Sequence, residues 1–101
     1  MVIDEKVKQV IADSAFLTLV TVNTDGTPHP IIAGKGKTSG DQVVFGIYKM
    51  EQTQKNLLQN HQAWIVGATT GEGPQGFRLK GTAVARDKQL IFTATHADRL
   101  I

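Results

Sequence analysis

The stretch Val43–Asn60, VVFGIYKMEQTQKNLLQN, decides how this chain is read, because an apolar run passes through a polar turn straight into a helical pattern. Residues 42–48, QVVFGIY, suit a strand. From about Met50 to Asn60 the spacing predicts a helix with Leu57 and Leu58 facing inward. Such a junction is a candidate phosphate cradle. The first N–H groups of a helix lack intrahelical partners and the positive end of the helix dipole lies beside them, so an anion can be held without a metal or a long glycine loop. Lys49, Gln52 and Thr53 would add side-chain donors. The plainer alternative is that Thr53 or Glu51 caps a surface helix while Lys49 sits in solvent.

Upstream, Val2 to Ser14 places Val2, Val7, Val10 and Ile11 near one helical stripe, which predicts a short amphipathic helix. From Ala15 the pattern becomes FLTLVTV, with Phe16, Thr18, Val20 and Val22 on one face and Leu17, Leu19, Thr21 and Asn23 on the other. This reads as a strand covered on both sides. Asn23 to Thr27 supply turn chemistry and PHPIIAGKGK resumes as a second strand, so the two form a hairpin around Asp25-Gly26. Pro28 and Pro30 belong where no ladder N–H is required. Gly34 and Gly36 inside a strand mark either a barrel corner or the close approach of a flat ligand, and the residues alone leave both open. A turn over Thr38–Asp41 then leads into the third strand.

Downstream, His61 to Thr70 reads as a fourth strand, Gly71, Gly73, Pro74 and Gly76 as a loop, and FRLKGTAVAR as a fifth strand. In that strand Phe77, Leu79 and Gly81 alternate with Arg78, Lys80 and Thr82, the latter face being solvated. Leu90 to Thr95 completes a sixth, followed by a polar, helix-tolerant end. The order implies one mainly β domain over residues 1–101 with short helices: a small antiparallel barrel, closed or nearly so, of five or six strands, with a helix between strands 3 and 4.

Composition narrows the chemistry. The chain has 101 residues and no cysteine, so disulfides, thiolate metal sites and thiol nucleophiles are excluded, and any electron transfer has to be carried by a bound cofactor. A domain of this size gains from a partner subunit that covers more apolar surface. No segment is long and apolar enough for a membrane span, and MVIDEKVKQVIADS carries charges where a signal peptide would be apolar, which points to a cytoplasmic protein. Net charge is only +2 and the lysines are scattered, Lys35 and Lys37 forming the one close pair on a strand face. A discrete anion therefore suits this surface better than nucleic acid.

Three segments together, LVTVNTDGTPHP, VVFGIYKMEQTQKNLLQN and GFRLKGTAVAR, resemble the FMN-binding split-barrel superfamily, which includes pyridoxamine 5′-phosphate oxidase and the small FMN-binding protein of sulfate-reducing bacteria. The likeness covers roughly residues 10 to 87. It implies a split barrel, FMN as cofactor with its phosphate at the strand-to-helix junction, and a flavin ring lying between the two subunits of a homodimer. On this resemblance Tyr48, Lys49, Met50, Gln52 and Thr53 are phosphate and ribityl contacts, and Ile32, Ala33, Gly34 and Lys35 run beside the ring. The relatives usually have a lysine where this chain has Gln52, which leaves charge neutralisation to Lys49 or Lys35. They also generally continue with a further helix and strand, so the chain is expected to be short at its C-terminus.

The implied function is a flavoprotein acting as an oxidoreductase or electron carrier with an unidentified redox partner or small substrate. No general base is nominated. His29, His61 and His96 are too dispersed for a metal site, and Asp13-Ser14 reads as a helix end, with no nucleophile motif around Ser14. Trp64 is expected in the core or a dimer contact. The counterparts of the oxidase's C-terminal substrate-phosphate arginine and histidine are not found. The competing readings are a flavin-free small barrel that binds another anion or acts as an interaction module, and an oligonucleotide-binding barrel.

Overall fold

The computed structural model describes residues 1–71 and 73–101. Helix α1 (Glu5–Asp13) precedes β1 (Thr18–Val22), β2 (Pro28–Ile32), β3 (Lys37–Ser39) and β4 (Gln42–Gly46). Helix α2 (Glu51–Gln59) follows, then β5 (Gln62–Thr69), β6 (Gln75–Arg86) and β7 (Gln89–Arg99). All strand pairs are antiparallel, in the order β2-β1-β5-β6-β7-β4-β3.

The helical stripe at the N-terminus packs as its spacing requires: Val10 and Ile11 are buried and Val2 and Val7 lie against the core. Asp4 caps α1 by accepting the Val7 N–H at 2.9 Å. Ser14 ends it, donating its hydroxyl to the Val10 carbonyl at 2.7 Å. In β1 and the residue before it the inward face is Leu17, Leu19 and Thr21, while Thr18, Val20 and Val22 stay half-exposed, so this strand is covered on one side only. Phe45, Ile65, Leu79, Leu90 and Phe92 fill the centre of the core. The expected alternation in β6 holds, with Phe77, Leu79 and Gly81 inward and Arg78, Lys80 and Thr82 exposed. Edge strand β2 accommodates both prolines where no further strand asks for their N–H.

Several expectations are corrected. There are seven strands instead of five or six, because the second predicted strand is interrupted: Gly34 adopts φ +82°, and β2 and β3 lie at opposite ends of the sheet. The helix consequently falls between the fourth and fifth strands. The sheet is not closed, its two edges being β2 and β3. Gly36 is buried where an added Cβ would meet Val43, Phe45 and Leu17 at 2.7, 3.1 and 3.2 Å, so bending and packing account for the glycine pair. Leu58 is 83% exposed, since α2 turns Thr53, Asn56 and Leu57 inward instead. Gly76 belongs to β6, and β7 runs through the tail to Arg99. Lys35 and Lys37 share no strand; Lys35 donates to the Ala12 carbonyl at 2.9 Å beside the end of α1.

Candidate anion site at the start of helix α2

After β4 ends at Gly46, the Ile47 N–H bonds to the Lys88 carbonyl at 2.9 Å, tying the crossing segment to the β6–β7 turn. The chain then reverses at Lys49, which has φ 53°. A non-glycine residue in that region costs on the order of 1–3 kcal/mol, a strain that clusters at functional sites. Met50 is the N-cap, buried and without a side-chain bond to the helix. Neither Thr53 nor Glu51 caps α2. The N–H groups of Glu51, Gln52 and Thr53 have no hydrogen-bond partner among the described residues, the first such bond being from Gln54 to the Met50 carbonyl at 2.9 Å.

Thr53 is 1% exposed and its Oγ1 has no hydrogen-bond partner among the described residues. A helical threonine commonly returns its hydroxyl to a carbonyl one turn back, and this one does not. A buried orphan hydroxyl costs about 1–3 kcal/mol. This one lies in the first turn of α2, at the positive end of the helix dipole. Lys49 and Tyr48 are exposed beside it, with the Lys49 ammonium 5.6 Å from the centre of the Tyr48 ring.

One site feature escaped the sequence reading. Asn56, 1% exposed, donates to Thr21 Oγ1 at 3.0 Å and Asn23 Oδ1 at 2.9 Å, and accepts from Gln52 Nε2 at 2.9 Å. The available signal was a polar residue at the i+3 position from Thr53, next to Leu57 on the inward stripe.

The second group of predicted contacts attaches elsewhere. Ala33 N–H bonds to the Leu17 carbonyl at 2.8 Å and Leu17 N–H to the Gly34 carbonyl at 3.0 Å, at the start of β1. Helix α2 is tied to the far end of that strand through Thr21 and Asn23, roughly 13 Å along at about 3.3 Å per residue. No hydrogen bond or ion pair joins Ile32–Lys35 to Tyr48–Thr53 among the described residues. Lys35 is engaged at α1, so of the two lysines considered for charge neutralisation only Lys49 stands at the α2 start. Ile32 is 66% exposed on edge strand β2. A hollow of about 190 Å³ between α1 and the ends of β6 and β7, lined by Val7, Val10 and Phe77, contains none of these residues.

The sequence model of the family described as pyridoxamine 5′-phosphate oxidase matches residues 3–98, almost the whole chain. The chain belongs to the pyridoxamine 5′-phosphate oxidase family. No curated protein matches the sequence. Among solved structures, HupZ from Group A Streptococcus is similar, with 17% identity, 96% of this chain and 93% of that chain covered, and a TM-score of 0.80. An FMN-binding protein from Syntrophomonas wolfei has 16% identity over 96% of this chain and 85% of that chain, with a TM-score of 0.81. An F420 reductase has 13% identity over 90% and 94%, with a TM-score of 0.73. At such identities the likeness is one of fold. Within the pyridoxamine 5′-phosphate oxidase family this chain shares the architecture of these structures.

Among the described residues no group of acidic or histidine side chains forms a metal site, and no helix is long and apolar enough to cross a membrane. Arg78 and Asp98 form an exposed ion pair at 3.3 Å, next to Trp64 and Lys80.

Proposed function

We propose that this protein is an FMN-binding flavoprotein acting as an oxidoreductase or electron carrier, with the FMN phosphate at the start of α2. The observation that carries the reading is the buried, unpartnered Thr53 hydroxyl beside three free helical N–H groups. An anion accepts from all of these and turns an energetic cost into charge-assisted bonds. The residues fit a phosphate monoester: Thr53 and the amides supply direct donors and Lys49 supplies charge, while Met50, the N-cap, packs into the core. FMN would provide the redox chemistry, the protein its placement and its exclusion of water.

Ile32, Ala33, Gly34 and Lys35 lie too far along β1 to serve the same phosphate, and we assign them to the flavin ring across a homodimer. The outer face of the sheet suits such pairing. Val20 stands between exposed Pro30 and half-buried Trp64 across the strands, and Thr18 between exposed Ile32 and half-buried Val66, giving a partly exposed row that is apolar apart from Thr18. The absence of cysteine accords with a cytoplasmic setting.

The purified protein is expected to be yellow and to release FMN on denaturation. Titration with FMN, FAD and F420 should rank FMN first, and Thr53→Val with Lys49→Ala should weaken FMN binding about 10–100-fold. A colourless protein that takes up none of the three would favour the flavin-free barrel instead.

A further inference from the structure

A chain of side-chain hydrogen bonds leads from the β1–β2 turn to the first turn of α2. The Thr27 hydroxyl and N–H both donate to Asp25 Oδ1. Asn23 Nδ2 donates to Thr27 Oγ1 at 3.1 Å, Asn56 Nδ2 to Asn23 Oδ1 at 2.9 Å, and Gln52 Nε2 to Asn56 Oδ1 at 2.9 Å. The direction of every link follows from one end. An ionised carboxylate only accepts, so the Thr27 hydroxyl points at Asp25 and must itself accept from Asn23. The Asn23 oxygen then faces Asn56, and the Asn56 oxygen faces Gln52. Both bonds from Thr27 favour the ionised form and hold Asp25 below the usual carboxylate range, so the anchor is an acceptor only. Thr21 Oγ1 also accepts from Asn56 Nδ2, at 3.0 Å; flipping the buried amide would set its oxygen against the Asn23 oxygen and its nitrogen against Gln52 Nε2, breaking two bonds at once.

We propose that Asn56, oriented by Asp25 through Asn23 and Thr27, is a positioning residue that sets Gln52 to recognise a hydroxyl of the bound phosphate ester, making the site selective for polyol phosphates. The inference rests on the anion-site reading of α2. With one N–H committed to Asn56, Gln52 keeps an oxygen and a second N–H, one acceptor and one donor, in the same helical turn as the unpartnered Thr53. A hydroxyl both donates and accepts and therefore complements the pair. A phosphate dianion only accepts, and would meet the Gln52 oxygen as a like partner. The phosphate falls to Thr53, the helix amides and Lys49, while the neutral side chain of Gln52 takes the neighbouring carbon's hydroxyl.

Flavin-fluorescence titrations of FMN and of a flavin carrying an unhydroxylated 5-phosphopentyl chain test this in the full chain. Wild type is expected to prefer FMN about tenfold. In Gln52→Leu that preference should vanish through weaker FMN binding, with the phosphopentyl ligand unaffected. Asn56→Leu, its fold checked by circular dichroism, should lose the preference too, and Asp25→Ala, in the exposed turn, should lose part of it. A general structural defect lowers both affinities together and leaves their ratio alone. Equal losses for the two ligands in Gln52→Leu, or an undiminished preference in Asp25→Ala and Asn56→Leu, would overturn the proposal. Wild-type protein that binds both ligands equally well defeats this inference alone; wild-type protein that binds neither defeats the anion-site reading and this inference with it.

Discussion

Asn56 and Thr21, 35 residues apart in the chain, meet at 3.0 Å with neither side chain reaching solvent. This contact fastens α2 to the first strand. Asn56→Leu would leave the Thr21 hydroxyl and the Asn23 oxygen short of a donor, with an expected loss of about 2–3 kcal/mol in urea unfolding. Adding Thr21→Val should recover part of that loss, because the second substitution removes the group the first one orphaned. Strictly additive losses would show that the pair does not couple.

Gly81 occupies the most demanding glycine position. It lies at the register shift between β6 and β7, where an added Cβ would collide with the Thr93 carbonyl. That neighbour is backbone in a paired strand, so it cannot swing aside. Gly81→Ala should cost more than ~3 kcal/mol or prevent folding, whereas Gly46→Ala, with open space around it, should change stability by less than ~1 kcal/mol. Thermal melts of the two variants check the contrast.

The sequence showed its local chemistry more clearly than its long-range pairing. The α2 start was legible because unpaired amides at a helix N-terminus follow from the chain itself, and the β6 alternation was legible because a half-buried strand repeats every two residues. The division of PHPIIAGKGK was not, since it depends on Gly34 taking a left-handed conformation and on Gly36 meeting Val43 and Phe45 across the core. Lys35 looked like a free cation because its partner, the Ala12 carbonyl, is 23 residues away. Leu58 was misplaced because the inward stripe of α2 is completed by polar Thr53 and Asn56 beside Leu57, which turns Leu58 to solvent. Both strands of the β6–β7 hairpin were anticipated, but not the length of β7 nor the tight turn between them, in which Asp87 and Lys88 take φ 51° and 62° without a glycine to announce it.

Gly34 carries the break between β2 and β3. Its φ of +82° disfavours any side chain although no atom stands near an added Cβ, so Gly34→Ala isolates backbone strain from steric conflict. The expected loss is about 1–2 kcal/mol, read as a lower urea midpoint at unchanged slope. A neutral result would mean that the segment relaxes to an extended conformation.

Thr53→Val separates folding from binding. The substitution keeps shape and β-branching and removes only a hydroxyl that is buried and without a partner in the folded chain. Taking away an unsatisfied polar group stabilises, so ligand-free protein should gain about 1 kcal/mol and melt several degrees higher. FMN affinity should fall at least about tenfold, because the same hydroxyl is the donor assigned to the phosphate. The two effects therefore run in opposite directions, and a purely structural threonine cannot produce that pattern. If the valine variant melts lower than wild type without ligand, the hydroxyl has a partner in the folded protein and the physical basis for placing a phosphate there is gone.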